Sequence, residues 1–115
     1  MKKVSTITSS YKSEKYLRGF LNSVKNQTYK NIEIVLDHNE PTDKEINTIE
    51  KFNKKYNNIQ HTIIKKVDPL GVSWNRCIDK STGEYLCIWN VDDLRTPNSI
   101  ELMANVLDER KDIDI

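Results

Sequence analysis

Four short runs rich in β-branched and aromatic residues, at 4–8, 32–36, 59–64 and 85–89, alternate with stretches whose apolar residues recur every three or four positions. That alternation constrains the fold most. Strands separated by helix-length segments are parallel and covered on both faces, and right-handed crossovers then give a doubly wound, Rossmann-like α/β sheet. The first helix is expected over 14–26, with Ser13 as N-cap and Tyr16, Leu17, Phe20, Leu21 and Val24 inward. Thr42 and Glu45 have capping-box spacing and open a second helix, with Ile46, Ile49, Phe52 and Tyr56 inward. A third is expected over 72–80, stopped by Ser81-Thr82-Gly83. A fourth has Pro97 at its first position and Ile100, Leu102, Met103, Val106 and Leu107 on its apolar side. Residues 112–115 read as the start of a fifth strand.

The bulk numbers exclude several roles. With 115 residues, the chain is one domain. A net charge of +1 argues against nucleic-acid binding driven by a bulk positive field. No stretch reaches about 18 consecutive apolar residues, and no transmembrane segment is expected. Met1-Lys2-Lys3-Val4 runs straight into a strand without the apolar core of a secretion signal. Cys77 and Cys87 form no CxxC and suggest a reducing, cytoplasmic setting. His38 and His61 have no metal-ligand spacing.

In a doubly wound sheet, ligands sit outside the carboxyl ends of the strands. The loops to inspect are therefore Ser9-Ser10-Tyr11-Lys12, the stretch after Asp37, the turn before Gly71, and Asn90 to Arg95. Asp92 and Asp93 either hold a divalent cation or sit in a solvated loop where Asp93 caps a turn. Asp37 either accepts hydrogen bonds from a base or ribose or makes an Asx-turn. Ser9, Ser10 and Tyr11 either contact a nucleotide or form the first β–α turn. Trp74 and Trp89 read as core. Arg76 and Arg95 are either phosphate partners or solvated. The chain has three glycines, and neither GxGxxG nor GxxxxGK[ST], so a diphosphate must be handled by other means, such as a metal.

Two separated blocks carry a family resemblance. VSTITSSYKSEKYLRGFLNSVKNQTYKNIEIVLD (4–37) resembles the opening of the family 2 glycosyltransferases, which have the GT-A fold. GVSWNRCIDKSTGEYLCIWNVDDLRTP (71–97) resembles that family's middle block, in which a turn leads to GEY, a strand and an Asp-x-Asp motif. The resemblance implies a single nucleotide-diphosphate-sugar-binding domain over 1–115, the N-terminal half of an enzyme that transfers a sugar to an acceptor hydroxyl with inversion. It implies Mn or Mg as cofactor, a UDP-sugar as donor, a sugar or lipid-linked acceptor, and a place in polysaccharide biosynthesis. It also implies a cytoplasmic location, with peripheral attachment at the inner membrane face a further possibility.

Residue by residue, the resemblance puts Ser9, Ser10 and Tyr11 at the first nucleotide-contacting motif and Asp37 at the acid that reads the base. Asn75 matches the family Asn. Asn90 and Asp92 are the ends of Asp-x-Asp, and Asp93 is the further acid. Asp92 and Asp93 are thus the expected metal ligands, and Asn75 and Asn90 are expected at the nucleotide. Departures are Ser9 for Pro, Lys12 for Asn, Trp74 where Arg is common, and Asn90 for the first Asp. The catalytic base is expected in a segment beyond Ile115. Two other readings remain: a non-catalytic remnant binding nucleotide or a partner, and a phospho-receiver domain, which lacks its acid pair after the first strand. An unfinished sheet edge would favour self-association.

Overall fold

The computed structural model describes residues 1–110 and Asp112. The order is β1 (Val4–Tyr11), α1 (Glu14–Lys25), β2 (Ile32–Asn39), α2 (Asp43–Tyr56), β3 (Ile59–Ile64), α3 (Leu70–Lys80), β4 (Tyr85–Ile88) and α4 (Ser99–Glu109). All strands are parallel, in the order β3-β2-β1-β4. The chain winds outward from β1 to β3 and then returns to the other side of β1. The topological switch point therefore lies between β1 and β4.

The period of two along the strands sorts the core. Ile34 and Leu36 pack with Leu17, Phe20, Leu21 and Val24 of α1, Ile49 of α2, and Ile100 and Ala104 of α4. Val35 and Ile7 face the other way, onto Cys77 of α3 with Trp74 beside it. Trp89 is fully buried and meets Phe20 edge-on, with ring centroids 5.6 Å apart. It fills the core just after β4, where the chain leaves the sheet. Gly83 lies so close to β1 that a Cβ there would come 2.6 Å from Ser5 Oγ and 2.8 Å from Lys3 O. Only glycine allows this approach ahead of β4.

The capping box forms: Glu45 N–H donates to Thr42 Oγ1 at 3.1 Å, and Thr42 N–H to Glu45 Oε1 at 2.9 Å. Three expectations differ from the structure. Ser13 occupies the N-cap of α1, but its side chain makes no capping bond and turns toward Ser10 and Glu45. Pro97 is not the first residue of α4, which starts at Ser99. The Pro97 carbonyl accepts from Thr28 N–H, and the buried Gln27 side chain accepts the early helical N–H of Ile100. Leu102 and Val106, and likewise Tyr16 of α1 and Tyr56 of α2, are exposed rather than inward. The expected fifth strand lies outside the described residues but for Asp112. Among the described residues, no helix is long and apolar enough to cross a membrane.

Candidate functional site

The rim of the sheet differs from the expected loops because two strands run on. β1 continues to Tyr11 and β2 to Asn39, with Ser9 opposite Asp37, Ser10 opposite His38, and Tyr11 opposite Asn39. These polar residues are paired strand, not turn. Successive side chains point to opposite faces, so the rim divides in two. Ser9 and Asp37 face α3; Ser10 and His38 face α1 and α2.

On the α3 side, Asp37 is buried and held by several donors. Arg76 donates from Nε to Oδ1 at 2.8 Å and from Nη2 to Oδ2 at 2.9 Å; Ser73 Oγ donates to Oδ2 at 2.5 Å. Arg76 Nη2 also reaches Asp68 Oδ2 at 2.8 Å, and Ser73 Oγ lies 2.7 Å from Ser9 Oγ. Burial pushes the Asp37 carboxyl up, but the Arg76 and Ser73 bonds outweigh it and hold the group below the usual range. Arg76 is thus an ion-pair partner of two aspartates, and its Nε and Nη2 are not open to phosphate. The sequence carried a signal for this: Ser73 and Arg76 stand three apart on one helix face.

On the α1–α2 side a second buried chain forms. Ser10 Oγ bonds Ser13 Oγ, and Ser13 N–H and Oγ donate to Glu45 Oε2 at 3.1 and 3.2 Å. His38 Nε2 stands 3.5 Å from Glu45 Oε2, and its Nδ1 is 3.0 Å from His61 Nε2. The two histidines, far apart in sequence, meet because β2 and β3 are neighbours.

Between these clusters, a cleft of about 320 Å³ opens at the switch point. Ser9, Ser10, Tyr11 and Lys12 line one side and Asn90 and Asp92 the other, with Tyr16 and Leu70 completing the walls. Val91 is buried, which leaves its neighbours Asn90 and Asp92 exposed at the cleft. Trp89 anchors this loop: its Nε1–H donates to the Asp93 carbonyl at 2.9 Å, and Arg95 lies over its ring at 5.1 Å. Asp93 closes a turn, its N–H donating to the Asn90 carbonyl at 3.0 Å; it is exposed and does not line the cleft. Asn75 stands exposed on α3, also outside the cleft lining. Thus Ser9, Ser10, Tyr11, Asn90 and Asp92 share one space. Asp37 lies behind it through Ser73 and Ser9, and Asp93 and Asn75 stand apart. Among the described residues, no group of three or more His, Cys, Asp or Glu side chains is arranged to hold a metal.

A larger groove, about 760 Å³, runs between α1 and α2; Lys12, Lys15, Arg18 and Lys44 outnumber Glu14 and Glu45 in its lining, and Lys44 pairs with Glu14 at 3.0 Å. It touches the cleft only through Lys12.

The family model described as glycosyl transferase family 2 matches residues 5–115. The chain belongs to this family. EpsE of Bacillus subtilis is 29% identical over 110 residues, which is 95% of this chain and 40% of EpsE. Glycosyltransferase GlyG of Streptococcus pneumoniae is 29% identical over 112 residues, 97% of this chain and 37% of GlyG. Among solved structures, S. aureus TarS 1-349 in complex with UDP superposes with a TM-score of 0.86 at 26% identity, covering 95% of this chain and 33% of that one. Mannosyltransferase PcManGT from Pyrobaculum calidifontis, in complex with GDP-Man and Mn2+, gives 0.79 at 17% identity, covering 96% and 33%. The family 2 chain therefore spans about two fifths or less of these relatives. The parallel four-stranded sheet with its helices is the GT-A-like arrangement expected from the sequence.

Proposed function

We propose that residues 1–115 form the donor-binding domain of an inverting glycosyltransferase whose donor is a uridine-diphosphate sugar. The observation that carries this reading is the cleft at the β1–β4 switch point, which Ser9, Ser10 and Tyr11 of β1 line together with Asn90 and Asp92 of the loop after β4. Hydroxyls and amides suit a ribose and a sugar. The Asp92 carboxylate repels a diphosphate unless a cation stands between them. Mn²⁺ and Mg²⁺ take hard oxygens and commonly use one or two protein carboxylates plus substrate phosphates. A single cleft-facing acid with a neighbouring amide oxygen fits that pattern, with Asp92 as ligand and Asn90 beside it. When bound, the cation supplies positive charge to the departing diphosphate. Asp93 is the weaker ligand, since it does not line the cleft.

At the base, Asp37 and Arg76 act together. Asp37 Oδ1 takes only the Arg76 Nε bond and keeps an acceptor position, and Arg76 Nη1 has no protein partner among the described residues. An acceptor beside a free donor matches the N–H and C=O edge of uracil. TarS, the 26%-identical neighbour, is seen with UDP and with UDP-GlcNAc. The acceptor is a sugar or lipid-linked hydroxyl, and the product a polysaccharide. The basic α1–α2 groove supports peripheral attachment to an anionic inner membrane face of the cytoplasm. The exposed Leu86 and Ile88 of edge strand β4 support pairing with a second copy.

Calorimetry in the presence of Mn²⁺ tests the reading: UDP should bind more tightly than GDP or ADP. Equal affinities would remove base reading from Asp37 and Arg76, and no binding of any nucleotide would overturn the donor site. Asn90, an amide where the family has an acid, favours a second reading, a nucleotide-binding remnant without catalysis. That reading expects UDP binding indifferent to metal.

A further inference from the structure

Glu45 is buried at the floor of the α1–α2 groove and is used four times over. Its Oε1 accepts from Thr42 N–H, and its Oε2 accepts from Ser13 N–H and Ser13 Oγ while facing His38 Nε2. The first three contacts have ordinary hydrogen-bond lengths; the His38 contact, at 3.5 Å, does not. His38 Nε2 is consequently a fully buried polar atom without a close partner. Its ring is held from the other side by His61 Nε2 at 3.0 Å. The charged and titratable groups around His38 are few: Glu45 from α2, His61 from β3, and Asp37 next to it on β2. From the chain entering α1, Ser13 brings only a hydroxyl. Ser13 and Ser10, at the far end of this chain, line the cleft.

We propose that Glu45 is a positioning residue for the donor cleft and that the charge on His38 governs it. With His38 neutral and its one N–H on Nδ1, donated to His61 Nε2, Glu45 Oε2 belongs to Ser13, and Ser13 holds Ser10 against the cleft. Protonated, His38 offers an N⁺–H across the 3.5 Å gap, and a charge-assisted bond outcompetes a neutral one. Glu45 then moves toward His38, the Ser13 bonds lengthen, and the first wall of the cleft loosens. Burial favours the neutral ring at pH 7, against the pull of Glu45, so the change falls on the acid side of the ordinary histidine range. His61 is lowered further, to about 4, by burial and by the His38 charge, and stays neutral over the same interval.

The coupling can be read without any ligand. The Ser13 amide donates directly to Glu45, so its ¹H–¹⁵N shift reports the strut. It should shift as pH falls below the ordinary histidine value in the wild-type chain and stay flat in His38→Gln, whose amide can reach Glu45 but carries no titrating proton. His38→Asn provides a second non-titrating variant should the first fail to fold. A flat Ser13 amide in the wild type, or the same titration in both variants, would overturn the proposal.

The consequence for the cleft rests on the donor reading above. It is measured with UDP-GlcNAc, a diphosphate diester with no ionisation in this interval. Affinity should fall roughly three- to tenfold as pH falls from 7.5 through the Ser13 titration, the worth of one ordinary hydrogen bond, and should not fall in His38→Gln. An equal fall in both would overturn the role of His38 in the cleft. Absence of nucleotide binding at pH 7.5 would instead count against the donor reading, and the Ser13 titration would still decide the strut.

Discussion

Arg76 grips both carboxylate oxygens of Asp37, through Nε at 2.8 Å and Nη2 at 2.9 Å, so the rim acid best placed to read a base is already held in a fork from α3. The fork fixes the carboxylate plane and keeps it ionised despite burial. Removing Arg76 leaves a buried charge with only Ser73 and the long Asn39 contact. Loss of one partner of a fully buried pair costs about 3–5 kcal/mol. With the Arg76 side chain 27% exposed, Arg76→Ala should cost less, about 2 kcal/mol by urea unfolding. The double variant with Asp37→Asn should lose clearly less than the two single losses together. Strict additivity would show that the fork is not a stabilising unit.

Metal dependence should reside in Asp92. Asp92→Ala is expected to abolish the Mn²⁺-dependent increment in UDP affinity and to leave uridine binding unchanged, because Asp92 meets the diphosphate only through an ion. Asn90→Asp should tighten metal-dependent binding by about 1–2 kcal/mol, since an added rim carboxylate is partly solvated before binding. Calorimetry with and without Mn²⁺ reads both. Full metal dependence in Asp92→Ala would move the ligand elsewhere, with Asp93 the next to test.

Lys12 follows β1 with φ 49°, in the left-handed region, and lines the cleft. Lysine is uncommon there, whereas asparagine is among the residues that tolerate it. The resembled family carries Asn at this position. Lys12→Asn should therefore raise stability by about 0.5–1 kcal/mol, seen as a higher urea midpoint. A lower midpoint would mean that the lysine side chain, 5.4 Å from the Tyr11 ring centroid, contributes more than the backbone costs.

The element order and the two faces of the sheet were legible because apolar periodicity is a local signal, and every helix and strand within the described residues carries it. The strand ends were not. Ser9 to Tyr11 and Asp37 to Asn39 are polar and read as loops, yet each pairs across the sheet to the rim. Their polar side chains are satisfied by partners distant in sequence: Ser73 and Arg76 on α3, Glu45 on α2. The His38–His61 pair was hidden for the same reason, because strand adjacency brings together what spacing separates. Asp92 and Asp93 looked equivalent in sequence. Burial of Val91 and the Trp89 bond to the Asp93 backbone separate them, and neither follows from a local pattern.

Acid should destabilise the chain before its carboxylates titrate. His38 is lowered by burial, and His61 is lowered from 6.5 to about 4, by burial first and by the His38 charge second. A histidine whose folded pKa is depressed binds its proton more readily when unfolded. Stability is then complete above the unfolded value and falls as pH drops from 6.5 toward 4. At about 1.4 kcal/mol per unit, discounted for partial exposure of His61, the loss is on the order of 2 kcal/mol. Urea midpoints between pH 7 and 4 measure it. His61→Gln should shallow the profile in this window, leaving the His38 part and the fall at more acid pH where Asp37 and Glu45, both lowered, protonate. A profile flat to pH 4 in the wild type would show the histidine pair to be more open to water than its packing implies.

Donor binding and sugar transfer should separate in these 115 residues. Activating an acceptor hydroxyl needs a base within about 3 Å of the proton it takes, and a wall that orients the hydroxyl. The carboxylates near the cleft are already committed. Asp37 is bound by Arg76 and Ser73, Glu45 by Ser13 and Thr42, and Asp92 is assigned to the cation. Asp93 does not line the cleft. The curated relatives EpsE and GlyG continue well beyond the matched stretch, which covers 40% of one and 37% of the other. The residues 1–115, purified alone, are therefore expected to bind UDP-sugars and to transfer nothing to sugar or lipid-linked acceptors. Slow hydrolysis to free sugar can persist, because it needs only stabilisation of the leaving diphosphate. Labelled UDP-sugars with a panel of acceptors, with product and free sugar followed separately, make the test. Robust transfer would reveal a base within this stretch, and Glu40, which follows β2 at the rim with φ 44°, would be the first residue to replace.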